Sequence, residues 1–304
     1  MMPEDKAPQG SGRRGIVVPA LVGGYLTLVT LFLVFVLHLS VSPERLLVLM
    51  LIAALVLGRA KLFLADWIPF IVLFLCYEYL RGLSRQAGMA VHYQDVIQLE
   101  RTVAFGHVPT LVLQGAFYHP GHISWYDIAA TTFYFLHFAF PLGVAYLLWL
   151  QARPLFQRFA RTLLGMSFAT FIFYLLVPVA PPWLASRQGF LPHVTKIIDF
   201  TLPSFTDLPG VPYPATVYHF FTANPVAAMP SIHAAYPFLG FLFGFRLLGW
   251  RALPLLAYSA CVWLSVVYLG EHYVVDVIGG IILAGAAFAA DGAITSWWRH
   301  RSWR

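Results

Sequence analysis

The chain has 304 residues, of which 60% are hydrophobic and 11% are charged, and its formal net charge is +6. A soluble domain of this composition has too few polar side chains to cover its surface, so the sequence predicts a membrane protein. The positive charge does not form a basic, aromatic-interleaved patch, which excludes nucleic-acid binding and favours contact with anionic membrane lipids.

Apolar windows of about 20 residues, the length that crosses the hydrocarbon core, predict an all-α, polytopic helix bundle with about eight transmembrane spans. The first window is too long for a cleaved signal peptide, so we expect a retained anchor preceded by a cytoplasmic tail over 1–15. The windows lie near 17–39, 46–64, 66–80, 126–150, 162–179, 230–247, 252–269 and 271–291.

The distribution of Lys and Arg predicts the topology, because both residues accumulate in cytoplasmic loops. With the N-terminus inside, 13 of the 19 lie on the cytoplasmic side. Both termini are then cytoplasmic, as in a plasma (inner) membrane protein, and two long segments, 81–125 and 180–229, lie on the outer face. A basic tail over 293–304 contains three tryptophans and predicts an anchor at the inner surface, formed by Trp297, Trp298 and Trp303.

The two outer segments differ in their predicted structure. In the first, the alternation from Gln98 to Val103 and the following Gly106 predict a short interfacial helix and a turn. The second has eight prolines between Pro178 and Pro214, which exclude long regular elements and predict a rigid rim.

Three smaller polar groups have structural interpretations. Glu78 and Arg81 are three residues apart at a helix end and predict an ion pair. The two cysteines, Cys76 and Cys261, lie in apolar stretches, so neither a disulfide nor a thiolate metal site is indicated. A third group has an unspecific spacing in a Pro-Gly turn and predicts polar groups of the rim rather than a metal cluster: His119, His122 and Asp127.

The strongest chemical signal is a pair of histidine motifs at the predicted outer ends of two spans. Pro230-Ser-Ile-His233 begins the sixth span, and His272-Tyr-Val-Val-Asp276 begins the eighth. The 39 residues from His233 to His272 fit one descending and one ascending helix, which return the chain to the same depth. His272 and Asp276 are four apart, so they share one helix face.

This arrangement suits nucleophilic phosphoryl transfer. Asp276 would fix the tautomer of His272, leaving one nitrogen free to attack phosphorus, while His233 protonates the leaving oxygen. The N-terminus of the sixth helix and the Ser231 hydroxyl would bind phosphate. Because these groups are all side chains or backbone, no metal and no cofactor are expected.

The motifs resemble those of the type 2 phosphatidic acid phosphatase superfamily, whose second motif reads Pro-Ser-Gly-His and whose third ends in His-x-x-x-Asp. Val177-Pro-Val-Ala-Pro-Pro-Trp183 is similar to a segment of the branch that contains fungal inositol phosphorylceramide synthases and bacterial relatives. The resemblance covers about residues 120–290 and implies a six-helix phosphatase-like core, to which the two amino-terminal spans are additions. The additional spans and the first core span then lie within 16–80, and the catalytic part of the core lies within 126–292. It also implies a catalytic set of His272, His233 and Asp276.

The chain departs from the family pattern at the phosphate-binding basic residues. The Lys-x6-Arg-Pro motif is absent, and Ser265 is followed by Val266 where the family has Ser-Arg. The available substitutes are Arg187, Lys196 and Arg81, which together with Ser231 form the predicted substrate-binding set.

The favoured hypothesis is a membrane enzyme that transfers or hydrolyses the phosphoryl group of a lipid-linked phosphate through a phosphohistidine. Its partners are a lipid phosphate and, for a phosphotransferase, a polyol or alcohol acceptor such as inositol. Phosphatase activity needs only water in the acceptor's place, and the sequence leaves both open. The alternative is a proton-coupled transporter or lipid-translocating protein that uses the same histidines. A catalytically silent scaffold also stays open.

Overall fold

The structure is a computed structural model that describes residues 43–83, 89–201 and 224–301. Within these residues it is all-α, with two isolated β-bridges and no β-sheet. The helices are α1 Pro43–Val56, α2 Ala60–Leu83, α3 Gln94–Val103, α4 Pro109–Phe117, α5 Trp125–Gln151, α6 Arg153–Leu176, α7 Pro182–Arg187, α8 Ile198–Thr201, α9 Ile232–Leu248, α10 Leu253–Tyr268 and α11 Val274–Arg301. A 3-10 turn, Gly249–Ala252, joins α9 to α10.

Four stretches are long and apolar enough to cross a membrane: Ala60–Arg81, Arg153–Leu176, Ile232–Tyr268 and Val274–Trp298. Helix α5 adds a fifth if its two halves, which meet at 50°, form one span. The third stretch runs through α9, the 3-10 turn and α10. The structure therefore confirms an all-α, multi-pass protein but does not confirm eight spans, and the predicted first span at 17–39 lies outside the described residues.

Several predicted helix boundaries were wrong. The break between the second and third windows lies at Leu57–Arg59 rather than near 65, because Gly58 adopts a positive φ of 67° that ends α1. Helix α6 begins at Arg153 rather than near 162, with Pro154 in its first turn, where proline is favoured. Helix α11 continues to Arg301, ten residues beyond the predicted end of its span.

The core of the bundle is built from aromatic side chains of α2, α5 and α6. Trp67 is completely buried, and its ring stacks on Phe63 and on Phe156 at 5.2 Å each. Phe63 also meets Trp149 edge to face at 5.6 Å. Such geometries are favourable for ring quadrupoles beyond the area that they bury. The packing fixes α2 against the helices that carry the polar sites.

Two close approaches bring the histidine motifs together. A Cβ at Gly280 of α11 would lie 2.2 Å from the backbone oxygen of Ser231, so only glycine allows α11 to come this near to the beginning of α9. Because His233 at the beginning of α9 contacts His272 just beyond α10, the two helices form a hairpin. The predicted approach of His233 to His272 is present in the structure.

Buried carboxylates bind arginines at the opposite end of the bundle. Asp66 accepts two 2.7 Å hydrogen bonds from Arg153 and one of 2.9 Å from the Trp149 indole. Asp291 of α11 pairs with Arg158 and Arg161 at 2.6 Å, and Arg246 lies 4.0 Å away. We call Asp291 and its three arginines the arginine end of the bundle.

Candidate active site

The two histidine motifs meet at one end of the bundle. Nδ1 of His233 lies 3.1 Å from Nε2 of His272, and Nδ1 of His272 lies 3.5 Å from Oδ2 of Asp276. His272 and Asp276 are buried at 4% and 0% exposure, so the pair is shielded from bulk water. We call these three residues the histidine end. The structure thus brings the predicted catalytic set into one row.

The beginning of α11 holds Asp276 in place. Its Oδ2 accepts a 2.8 Å hydrogen bond from the backbone N–H of Tyr273, the residue before the helix. A side chain at the third helical position that bonds back to this N–H is one half of a capping box. The carboxylate therefore has a structural partner through one oxygen, while its Oδ1 is buried and has no hydrogen-bond partner among the described residues.

Glu100 of α3 completes the cap of α11. The backbone N–H groups of Val274 and Val275 each donate a 3.0 Å hydrogen bond to its carboxylate. Glu100 is fully buried on the same face of α3 as Val96 and Ile97. Burial raises the pKa of Glu100, the two N–H groups oppose this, and the nearby charge of Asp276 raises it further. The predicted interfacial helix is therefore a support for the histidine end.

Ser231 links the two motifs through the backbone. Its N–H donates a 2.9 Å hydrogen bond to the carbonyl oxygen of Asp276, and its Oγ accepts one of 3.3 Å from the N–H of Ala234. Ser231 is thus the N-cap of α9, which leaves its hydroxyl hydrogen for another acceptor. Tyr174 of α6 donates a 2.8 Å hydrogen bond to the carbonyl oxygen of Pro230 and fixes the same turn.

A third histidine, which the sequence analysis missed, extends the row. The centre of the His137 ring lies 3.8 Å from the centre of the His233 ring. The Tyr134 ring also stacks on the His233 ring, with 4.4 Å between the two centres. His137 is buried in α5, where the bend adjoins Pro141, a residue that cannot bond the His137 carbonyl. An ionisable side chain inside an apolar span was the signal that could have found it.

The predicted phosphate-binding residues lie in two places. Arg81 donates hydrogen bonds of 2.7 and 3.2 Å to Glu78, which confirms the predicted ion pair, and it interacts electrostatically with His233 and His137. Arg187 and Lys196 lie at the other side, each with its cation about 5 Å from the centre of the Trp183 ring. The structure therefore brings Arg187 and Lys196 together at Trp183, whereas Arg81 is paired with Glu78.

Trp183 connects these cations to His272. Its backbone N–H donates a 3.1 Å hydrogen bond to the carbonyl oxygen of Gly270, two residues before His272. Gly270 has a φ of +80°, and a Cβ there would lie 3.0 Å from the carbonyl oxygen of Thr195. Gln114 also binds the backbone of Thr195 from both ends of its amide, at 2.8 and 2.9 Å. The loop that carries Lys196 is therefore held against the turn that carries His272.

The Pro-rich segment before Trp183 is a connecting strip. Val179 bridges to His92 on one side and to Ala227 on the other. The N–H of Ala180 donates a 3.1 Å hydrogen bond to the carbonyl oxygen of His92. Three separate parts of the chain therefore meet along this segment.

The rim residues have structural contacts, as the sequence indicated. The carboxylate of Asp127 accepts a 2.7 Å hydrogen bond from the N–H of Ser124 and a further one from the Tyr268 hydroxyl. Nδ1 of His119 lies 3.0 Å from the carbonyl oxygen of Phe117. Within 43–83, 89–201 and 224–301 no group of three or more His, Cys, Asp or Glu side chains has a geometry that could hold a metal ion.

The fold and site define a class of membrane enzyme with two facing histidines, and comparison with known families agrees. The family model of the PAP2 superfamily matches residues 94–290, so the chain belongs to this superfamily. It is an integral, multi-pass membrane protein of that class. The match covers every member of the histidine end, Ser231, Arg187 and Lys196, and it excludes Arg81.

Among individual proteins, the chain is similar to inositol phosphorylceramide synthases and a bacterial relative. The chain is 27% identical to the phosphoinositol dihydroceramide synthase of Bacteroides thetaiotaomicron over 225 residues, covering 71% of this chain and 72% of the relative. It is 28% identical to the inositol phosphorylceramide synthase of Candida albicans over 157 residues, or 50% of this chain and 33% of the relative. The catalytic subunit from Schizosaccharomyces pombe is 26% identical, with 50% and 37% covered. No solved structure matches the chain.

Proposed function

We propose that this protein transfers a polyol phosphate between two alcohols, at least one of them a membrane lipid, through a covalent phosphohistidine at His272. The observation that supports the proposal is the 3.1 Å contact between Nε2 of His272 and Nδ1 of His233, which is the proximity that a nucleophile and a proton donor would need. The names of the relatives describe products that join an inositol phosphate to a ceramide or dihydroceramide. These names favour transfer over hydrolysis.

The reaction runs in two balanced steps. The Nε2 lone pair of His272 attacks phosphorus, the phosphorus–oxygen bond to the first alcohol breaks, and His233 gives its proton to the leaving oxygen. The second alcohol then attacks phosphorus, its proton passes to His233, and the phosphorus–nitrogen bond breaks. Asp276 holds the proton on Nδ1 of His272 and stabilises its positive charge while the phosphate is attached.

Basic and donor groups around the histidines would bind the phosphate oxygens. Lys196 and Arg187 approach from the Trp183 loop, and Ser231 offers its hydroxyl from the N-terminus of α9, where the helix dipole favours an anion. Arg81, paired with Glu78, contributes positive charge from the side of His233. The two histidine rings touch in this structure, so substrate entry has to separate them.

An apolar cavity beside the histidine end suits a lipid chain. Its volume is about 580 Å³, and its lining comes from the turn after α3, from α4 and α10, and from the beginning of α11. Val274, two residues after His272, is part of this lining. A headgroup could therefore reach the histidines while an apolar chain stays in the groove. The lining is Ala104, His107, Pro109, Val112, Leu113, Trp263, Leu264, Val267, Val274 and Val277.

The proposed site faces the outer side of the membrane if the distribution of Lys and Arg sets the topology. Two arginines, Arg81 and Arg187, lie near the histidine end, whereas the opposite end carries five: Arg59, Arg153, Arg158, Arg161 and Arg246. This asymmetry supports a cytoplasmic position for the arginine end and an outward-facing position for the proposed active site. Cysteine labelling of intact cells at an exposed rim position such as His119 tests the orientation.

The experiment that tests the function is turnover of a lipid panel by purified protein. Phosphatidylinositol, phosphatidic acid and a prenyl diphosphate are offered with and without ceramide or inositol. We expect transfer to an alcohol, and His272→Asn should lower it more than about 10³-fold because the nucleophile is lost. His119→Asn, a matched change at the exposed rim, should retain full activity. Full turnover by His272→Asn would contradict the proposal.

A further inference from the structure

Phe105 occupies an unusual place in the backbone. Helix α3 ends at Val103, Ala104 is its C-cap, and Phe105 follows with a φ of +52°. The N–H of Gly106 donates a 2.6 Å hydrogen bond to the carbonyl oxygen of Arg101, which is the pattern of a Schellman motif. The residue with a positive φ in this motif is usually glycine, because a side chain there crowds the backbone. Among the described residues, Phe105 is the only residue other than glycine with a positive φ.

The strained position of Phe105 does not serve packing. The side chain is 93% exposed and belongs to none of the buried clusters of the described residues. Glycine or asparagine would form the same turn with less strain. A single exposed apolar side chain is ordinary, but one that is presented on a strained backbone points to a function.

The exposed surface of α3 has an apolar edge that leads to Phe105. Leu99 and Val103 are four residues apart, so they share one side of the helix, and both are exposed. Gln94 and Gln98 are also exposed, but they form a separate, polar stripe. A short helix with an apolar edge beside a polar one is typical of a helix that lies at a membrane surface.

The turn that carries Phe105 adjoins the apolar cavity. Ala104 and His107, which precede and follow Phe105, are part of the cavity lining. Leu264 of α10 is also part of the lining and is exposed. It belongs to Ile232–Tyr268, a stretch that is long and apolar enough to cross a membrane. The cavity therefore opens at a surface that lipid chains would cover, and the turn after α3 forms one side of that opening.

We propose that the Phe105 side chain inserts among the lipid chains of the leaflet at the histidine end and keeps the mouth of the apolar cavity within that leaflet. The partner is membrane lipid, because the cavity connects the turn at Phe105 with the exposed Leu264 of a candidate span. Transfer of an aromatic ring out of water is favourable and offsets the strain of the backbone.

The insertion of Phe105 does not depend on the proposed function, but its consequence does. That consequence deepens the proposed function: a lipid substrate enters the cavity from the membrane without passing through water. The two statements need separate experiments, the first on the position of the side chain and the second on turnover.

Fluorescence quenching in vesicles tests the insertion directly. A bimane label is attached through Phe105→Cys, in a background with Cys76→Ser and Cys261→Ser, and the protein is reconstituted into phosphatidylcholine vesicles. His119→Cys, at an exposed position of the rim, is the matched control. We expect a lipid with a nitroxide on its acyl chain to quench the label at position 105 at least about threefold more than the label at position 119. Iodide in the water should give the opposite order.

Two quenching results would overturn the insertion. Strong quenching of both labels by iodide, with little quenching by the nitroxide lipid, would show that position 105 lies in water. Protection of position 105 from both quenchers would show that protein, such as a second copy of the chain, covers the turn instead of lipid.

Phe105→Asn tests the consequence for the lipid substrate. Asparagine tolerates a positive φ and is polar, so the variant should keep the turn and lose the insertion. We expect it to unfold in detergent at the wild-type temperature or above it. The KM for a long-chain lipid in vesicles should rise at least about fivefold, whereas the KM for a short-chain, water-soluble analogue should change less than about twofold. Phe105→Trp, which keeps a large apolar ring, should match the wild type on both substrates.

The kinetic outcomes separate lipid entry from structural damage. An equal increase in KM for the two substrates of Phe105→Asn would overturn the entry role, and so would an unchanged KM for the long-chain lipid. If the wild-type protein turns over no lipid, the proposed function fails, and the quenching result still decides whether Phe105 is inserted.

Discussion

Helix α11 carries two buried carboxylates with opposite surroundings. Asp276 and Asp291 are 15 residues apart, roughly 22 Å along the helix at 1.5 Å per residue. At the arginine end, Asp291 is within 4.0 Å of three guanidinium groups, two of them at 2.6 Å. At the histidine end, Asp276 faces one imidazole at 3.5 Å and keeps one oxygen without a partner.

The difference separates a structural carboxylate from a chemical one. Asp291 forms ion pairs with arginines that are always charged. These ion pairs connect α11 to α6 and α9 and stabilise the fold. Asp276 is held by one hydrogen bond from a backbone N–H. Its carboxylate can therefore also stabilise His272, whose charge changes during the proposed reaction. Incomplete satisfaction of buried polar groups is expected where a substrate completes the site.

The largest expected effect is on activity, at the histidine end. Asp276→Asn should lower turnover about 10²- to 10³-fold, since the amide cannot stabilise the charge on His272. The fold should survive, because the amide oxygen can still accept the hydrogen bond from Tyr273. Lipid turnover and thermal unfolding of the purified variant measure the two quantities. If Asp276→Asn lowered the unfolding temperature but left the turnover per folded molecule unchanged, Asp276 would be a structural carboxylate like Asp291.

The matched change at the arginine end should act on stability instead. Asp291→Asn leaves three arginines without their carboxylate, at a cost of about 2 kcal/mol, below that of a fully buried pair because the guanidinium groups are partly exposed. Turnover per folded molecule should stay within about threefold of the wild type. Urea-induced unfolding of the protein in detergent measures the change in the free energy of unfolding. A variant as stable as the wild type would show that the arginine cluster does not hold the helices.

A third substitution tests the close approach of α11 to the beginning of α9, which brings the two histidine motifs together. Gly280→Ala puts a methyl group where the Ser231 carbonyl oxygen lies 2.2 Å away, which should cost roughly 1–2 kcal/mol and separate the histidines. Gly285→Ala on the same helix is the control, because a Cβ there meets nothing within 4 Å. It should be neutral or slightly stabilising. Equal activity in the two variants would argue against close approach as the device that assembles the site.

The sequence predicted the local part of the site. A four-residue spacing places His272 and Asp276 on one face, and two helix lengths return the chain from His233 to His272. Both inferences need only helix geometry, and both contacts are present. The ion pair of Glu78 with Arg81 followed from spacing in the same way.

The sequence could not predict contacts that depend on tertiary packing. Glu100 caps a helix that begins 174 residues later, and no pattern in α3 identifies that partner. His137 meets His233 across two helices because α5 bends next to Pro141. The convergence of Arg187 and Lys196 at Trp183 depends on loop backbone contacts with Gly270 and Thr195. The predicted helix ends were wrong where a glycine or proline set the boundary.

The most direct test of the account is to trap the covalent intermediate. The purified protein is mixed with a polyol phospholipid, quenched within milliseconds in alkali, where phosphohistidine survives, and digested for mass spectrometry. We predict a polyol phosphate adduct on His272 that decays when the acceptor alcohol is added. Turnover at the wild-type rate in the His272→Asn variant, with no adduct on His272 of the wild-type protein, would contradict the account.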